Sequence, residues 1–444
     1  MKDLTKGRPE KLLLSFSLPI FFGNLLQLTY SLVDTRIVGS YLGKHALAAV
    51  GATSTMSGLL IGFLMGLANG FAIIQAQCFG AKDMRRLRKS LAASFVLGGG
   101  ITLVLTVLGL VFLNPILRFL NISEQLMRTA REYIFIIMAG MIVTLLYDVC
   151  AAVMRAIGDT ITPLIILAIS VVLNIVGDMF FICVLKTGVR GAAIATVLAQ
   201  LIALIVCIIF MLKKYDILRL HREDFAFMEK NMIGEMLNSG LSMGFMSSLV
   251  NIGSLSLQTA INKLGEDIIV AHTAARKISE IFMIMFSVFG QAMATYCGQN
   301  LGAGEIGRIK KGIKVAIVYT CIWCTFTIIA SYTIGSWLVH LVTGSKNTVI
   351  IENATNYLKF DTLFYYVTAF ICIIRNALQG IGDHITPLVS SSLEMIGKIV
   401  LAWLLVPCLG YTGVILSEPI VWFIMVIPLI VQILRTPVLK VKEG

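Results

Sequence analysis

The chain has 444 residues, 57% of them apolar and only 14% charged, with a mean hydropathy of +0.89. A soluble globular protein carries about a quarter charged residues, so that class is excluded; at ~20 residues per spanning helix the apolar content suffices for about a dozen spans. The net charge of +12 sits in short connectors, which points to anionic lipid and membrane orientation rather than to nucleic acid.

The N-terminal MKDLTKGRPEK precedes an apolar run from Leu12 to about Val38, too long for a signal-peptide core and without an A-x-A site, so it reads as an uncleaved first span. Apolar windows predict twelve spans, near 12–38, 46–76, 90–113, 130–153, 161–185, 189–212, 233–262, 268–296, 312–342, 355–376, 386–406 and 412–434. The expected fold class is an all-α integral membrane protein of two six-helix lobes, 1–212 and 233–434. A cytoplasmic linker, 213–232, joins the lobes, and a cytoplasmic tail occupies 435–444. Within the linker Ile217, Leu218, Phe225 and Met228 suit an interfacial amphipathic turn as well as a plain solvated linker. The nine cysteines lie mostly in apolar runs with no disulfide spacing, and the Cys321/Cys324 pair at lipid depth reads as packing.

Alternate connectors hold 23 and 10 lysines and arginines, and the richer set includes both termini, so both are expected in the cytoplasm. The sequence repeats internally. MRAIGDTITPLI at 154–165 recurs as LQGIGDHITPLV at 378–389, AQCFGAKDMRRLRKSL at 76–91 as GQNLGAGEIGRIKKGI at 298–313, and YLGKHALAA at 41–49 as KLGEDIIVA at 263–271. Six spans per half give the second copy the same topology as the first, with a pseudo-two-fold along the membrane normal and a cavity between the lobes. The G-D-x-[IT]-T-P element, with Gly for a tight turn and Thr-Pro opening the next helix, reads as a structural turn used twice.

An acid at bilayer depth costs several kcal/mol unless it faces a cavity or a partner, which makes Asp34 and Asp178 functional candidates. At 1.5 Å per residue, Asp34 falls ~6 Å inside the outer end of its span, Asp178 and Thr196 ~10 Å and Asn174 ~16 Å; Asn174 and Asp178, at i,i+4, share a helix face. Two nearby carboxylates in low dielectric titrate as a pair and can take a proton or a sodium ion. Pro19 removes a hydrogen bond inside the first span and permits a kink there. Asp148 is a candidate proton relay. Gln27 and Tyr30 on the first span and Arg276, Lys277 and Glu280 on the eighth are cavity candidates. In the second half Glu394 and Lys398 neutralise each other at i,i+4, and the counterparts of Asp34, Asn174 and Asp178 are Ser256, Lys398 and Ala402, so a cation site is expected in the first half alone.

No phosphate loop and no H-E-x-x-H site occurs, so no cofactor is expected, and no metal beyond a coupling sodium ion. Through MRAIGDTITP and its second copy, LPIFFGNLLQLTYSLVDTRIVGSYLG, and the elements Gln77–Ala81 and Gln299–Ala303, the chain resembles the multidrug and toxic compound extrusion (MATE) family. The resemblance implies a twelve-helix monomeric antiporter in the cytoplasmic membrane. It would export amphiphilic or cationic organic compounds against inward proton or sodium flow, in contact with membrane lipid and not with nucleic acid. In the DinF-like branch the cation site is an Asp in the first span, an Asn-x-x-x-Asp in the fifth and a Thr in the sixth, matched by Asp34, Asn174, Asp178 and Thr196; a proline like Pro19 bends the first helix on protonation. The NorM-like branch uses an acid in the tenth span, where apolar residues, Tyr366 and Thr368 are read here. Alternatives are a flippase for lipid-linked precursors, which needs several arginines in its cavity, and a non-transporting receptor or intramembrane enzyme, for which the five scattered histidines give no metal cluster.

Overall fold

The computed structural model describes residues 2–120, 122–226, 229–344 and 347–440. The first half builds α1 (Pro9–Gly80), α2 (Met84–Val111), α3 (Leu113–Phe119), α4 (Glu124–Ala139), α5 (Met141–Ala156), α6 (Ile161–Asp178) and α7 (Val189–Lys214). A short α8 (Arg222–Ala226) leads to α9 (Lys230–Ile261), α10 (Glu266–Gly302), α11 (Ile306–Thr343), α12 (Thr348–Leu363), α13 (Tyr365–Gly380), α14 (Ile385–Leu409) and α15 (Tyr411–Arg435). Helices satisfy every backbone group within one segment, which is why hydrocarbon accepts them.

Among the described residues nine helices are long and apolar enough to cross a membrane, and two bent pairs bring the number to eleven. The 72-residue α1 is broken at Gly43, where φ is 81°, so it supplies two spans and the expected twelve are present. The fourth and tenth spans are not the continuous helices expected: α4 and α5 meet at 44°, α12 and α13 at 52°. In the fourth, Gly140 at the bend lets α7 close in, since a Cβ there would lie 2.5 Å from Val197 Cγ2.

Contacts divide the chain into two compact units, Met1–Asp3 with Leu18–Gly244 and Leu4–Ser17 with Phe245–Gly444. This division by contact is not the division by span. Leu4 is fully buried in the second unit, its N–H donating to Gln299 Oε1 at 3.0 Å and its carbonyl accepting from Arg308 Nη2 at 3.1 Å. The expected linker is also less independent than its charge suggests. Tyr215 and Leu218 enter the apolar core of the first unit, and buried Asp224 lies 3.6 Å from Arg88. Of the four residues of the expected amphipathic turn, Met228 lies outside the described residues.

The internal repeat extends to the backbone. Left-handed glycines recur in pairs, Gly43 with Gly265, Gly158 with Gly382 and Gly188 with Gly410, at turns where a side chain would be strained. After Gly158, Asp159 Oδ1 accepts from the N–H groups of Ile161 (3.1 Å) and Thr162 (3.0 Å); after Gly382, Asp383 Oδ1 accepts from Ile385 and Thr386, both at 3.1 Å. In each copy the Thr hydroxyl donates to the other carboxylate oxygen. The G-D-x-[IT]-T-P element is therefore a helix cap built twice, with the aspartate satisfying the first orphan N–H groups of the next helix.

The two caps differ in what else they hold. Asp159 also accepts from Lys214 at 3.0 Å and from the Tyr215 hydroxyl. Burial pushes the Asp159 carboxyl up, but the bonds from Thr162, Tyr215 and Lys214 outweigh it and hold it well below the usual carboxylate range. A depressed folded value means that the contribution is complete above the unfolded carboxylate range and is lost as pH falls through the folded value. Asp159→Asn is expected to cost about 1–3 kcal/mol at neutral pH, seen as a lower melting temperature, and Asp383→Asn less, because among the described residues it has no Lys or Tyr partner. The gap between wild type and Asp159→Asn should close on acidification; a gap constant from pH 7 to pH 3 would contradict the assignment.

Candidate functional site

Four helices of the first unit converge on one polar cluster. α1 supplies Tyr30 and Asp34 from successive turns, α6 supplies Asn174 and Asp178 in the same way, α7 supplies Thr196, and α4 adds Tyr133. Asp178 is fully buried and Asn174 only 3% exposed, although both lie on an apolar span. The carboxyl groups of Asp34 and Asp178 adjoin, within reach of a shared hydrogen bond. Each keeps one buried oxygen, Oδ1, with no partner among the described residues.

The Asn174 amide fixes the rest. With its nitrogen turned towards the carboxylate it donates to Asp178 Oδ2 at 3.0 Å and to Tyr30 Oη at 3.3 Å, while its oxygen lies 3.2 Å from Thr196 Oγ1. The carboxyls of Asp34 on α1 and Asp178 on α6 thus share one polar site, and a proton or a small cation between them would relieve their repulsion. Apolar Ile37, Val38, Ile182 and Ala192 pack in a separate core cluster that also takes in the Tyr133 ring. Directly after Asp178 the helix widens into a π turn over Met179–Val184, a form that recurs at functional sites.

The sequence-predicted residues Asp34, Asn174, Asp178, Thr196 and Tyr30 are brought together; the others are not. Among the described residues no hydrogen bond links Asp148 to Asn174 or Asp178, and its charged neighbour is Arg155, which bonds Asn69 at 3.2 Å. Gln27 is exposed. At Pro19 the backbone keeps helical dihedrals, and the break in α1 is at Gly43; what Pro19 removes is the donor for the Ser15 carbonyl.

The second unit holds a buried charge network that differs from expectation. Lys398 does bond Glu394, at 2.9 Å, but Glu394 also faces Arg375 at 3.8 Å and Lys398 faces Glu418 at 3.9 Å. Arg276 leaves its expected cluster to hold both oxygens of Glu418, at 3.1 and 3.2 Å, and Tyr357 donates to the same carboxylate at 2.9 Å. Lys277 and Glu280 remain as an exposed pair 3.6 Å apart. The reading of the tenth span as free of acids is corrected: Asp361 on α12 is fully buried there, near Tyr365 and Glu418, with neither oxygen in hydrogen-bond geometry with a donor among the described residues.

Sequence reasoning missed Tyr133, Asp361 and Glu418. The two acids carried the signal that singled out Asp34, a carboxyl inside an apolar span. Tyr133 carried none, because an aromatic in a span is ordinarily packing.

Comparisons agree with this architecture. The MatE family model matches residues 19–180 and again 243–404. A probable multidrug resistance protein, YpnP, of Bacillus subtilis (strain 168) is 26% identical over 87% of this chain and 86% of its own. The multidrug export protein MepA of Staphylococcus aureus (strain MRSA252) is 25% identical over 92% of this chain and 89% of its own. Among solved structures, an outward-facing multidrug resistance MATE family transporter of the MOP superfamily superposes with a TM-score of 0.91 at 22% identity, covering 99% of this chain and 98% of that one. A MATE structure in a bent conformation superposes at 0.90, also at 22% identity, covering 98% of this chain and 97% of that one. With the family model matched twice, over more than half of its length, the chain belongs to the MatE family and is a multi-pass membrane transporter, not an enzyme.

Proposed function

We propose that the chain is a secondary antiporter of the DinF-like kind that exports amphiphilic or cationic organic compounds across the cytoplasmic membrane, driven by inward movement of a proton or sodium ion. The observation that carries the proposal is the pair of half-buried Asp34 and fully buried Asp178, adjoining and each with one buried oxygen that has no partner among the described residues. An ion held between the two carboxyls, with Asn174 anchored by Thr196 and donating to Asp178 Oδ2, cancels a repulsion that no fixed cation of this cluster cancels. Losing or gaining it changes how closely α1 and α6 tolerate each other. The donor missing at Pro19 lowers the cost of bending α1 in response. The relatives' names supply the substrate class, since they are described as multidrug proteins. The asymmetry of 23 basic residues against 10 supports cytoplasmic termini, and the working form is a monomer surrounded by lipid. A flippase for lipid-linked anions fits less well, because Arg276, the arginine it would use, is held by Glu418.

A second reading places the coupling group in the second unit, on Asp361. Its two unpartnered buried oxygens favour it, and an acid in the tenth span is what the NorM-like branch uses.

Dye efflux from inverted vesicles, driven by a proton gradient alone and then a sodium gradient alone, tests the proposal and identifies the ion. Asp34→Asn and Asp178→Asn are each expected to abolish gradient-driven efflux while inserting normally; normal efflux by either removes that residue from the mechanism. Asp361→Asn, and separately the double variant Glu394→Gln with Lys398→Gln, should leave the pH dependence of efflux unchanged. A shift with Asp361→Asn as large as with Asp178→Asn would transfer coupling to the second unit. Arg85→Cys and Lys310→Cys should both react only with reagent on the cytoplasmic side, and labelling from opposite sides would refute the parallel repeat.

A further inference from the structure

The first unit has a cleft of about 920 Å³ that the transport site does not use, at the end of the spans where α3 and α4 meet the start of α7. Four arginines line it: Arg118, Arg128, Arg131 and Arg190. Two acids share the lining, and one of them, Glu132, is shared by two arginines, with Arg190 Nη2 at 2.9 Å and Arg128 Nε at 3.2 Å. No ion pair is made by Arg118 or Arg131 among the described residues, and both side chains are exposed. The cleft therefore keeps an excess of positive charge, presented by planar forks suited to a phosphate group.

Apolar surface adjoins these forks. Phe135, half exposed, and Ile136 line the same cleft, and Phe119, next to Arg118, is 85% exposed. A free anion would use the arginines and leave the apolar flank bare; an amphiphile satisfies both. On the orientation proposed above this end of the unit faces outside, where connectors carry few basic residues, and these four arginines are four of the ten found there. The second unit has no counterpart: offsets of 222 to 224 from these arginines reach no arginine.

We infer that this cleft is a binding site for the phosphodiester headgroup of an anionic glycerophospholipid, with Arg118 and Arg131 gripping the phosphate and the acyl chains running along Phe119 and Phe135. The site shares no lining residue with the Asp34 and Asp178 cluster, and it ties the end of the unit to anionic lipid in one leaflet.

The test uses the purified full chain and native mass spectrometry with phosphatidylglycerol and phosphatidylcholine titrated separately. The double variant Arg118→Gln with Arg131→Gln is expected to weaken the tightest phosphatidylglycerol binding by about twenty-five-fold, about fivefold for each arginine, and to leave phosphatidylcholine binding unchanged. Glu132→Gln removes the acid that neutralises Arg128 and Arg190 and should tighten phosphatidylglycerol binding by about fivefold, a gain that misfolding cannot produce. Undiminished phosphatidylglycerol binding by the double variant, or an equal loss for both lipids, would overturn the site. Displacement of phosphatidylglycerol by inorganic phosphate or by glycerophosphoglycerol at matching concentration would overturn the lipid as its occupant.

Discussion

A carboxylate carried into hydrocarbon by a helix is tolerated in two ways: a fixed cation neutralises it, or a mobile one does. The rest of this structure depends on which of these each half adopts. In the first unit Asp34 and Asp178 face one another among the hydroxyls and amide of Tyr30, Tyr133, Asn174 and Thr196, with no lysine or arginine in the cluster. In the second, Glu418 and Glu394 are met by Arg276, Arg375 and Lys398, cations that are part of the chain. The same physical demand is answered in the second unit by cations built into the chain and, on the function proposed above, in the first by one that exchanges with water.

The scaffold beneath these two answers is one design used twice. Left-handed glycines and carboxylate caps recur at matching positions, so turns and helix starts are set by local chemistry that duplication preserved. Charge inside the spans was free to diverge because it depends on partners from other helices. Asp361 sits at that boundary, a buried acid near the fixed cations of its half, with neither oxygen in hydrogen-bond geometry with a donor among the described residues.

What could be read from the sequence follows the same line. Spans, the repeat, the turn at the G-D-x-[IT]-T-P element and the shared face of Asn174 and Asp178 are short-range properties, expressed in hydropathy, identity and i,i+4 spacing. The meeting of Asp34 with Asp178 joins residues 144 positions apart, and it was reached through family resemblance rather than from spacing. Arg276 with Glu418, 142 apart, had no such guide and was assigned to its neighbours Lys277 and Glu280 instead. The bends at Gly140 and Phe364 were hidden for a related reason: hydropathy measures how much of a segment is apolar and carries no information on whether its axis is straight.

The π turn after Asp178 has an evolutionary side. Gly188 follows Gly158 by 30 residues, whereas Gly410 follows Gly382 by 28, so the fifth span is two residues longer than its counterpart, α14, which stays α-helical to Leu409. A π turn takes in more residues than an α turn without breaking the helix, and so can house an insertion. The surplus lies on the C-terminal side of the carboxylate. Upstream of it Asn174 and Asp178 remain in register with Lys398 and Ala402, while beyond it the two halves are aligned by a different offset. An insertion so placed lengthens the C-terminal end of the helix while sparing the face that carries the acid, which shows where this half of a duplicated gene could change length after its buried chemistry was set.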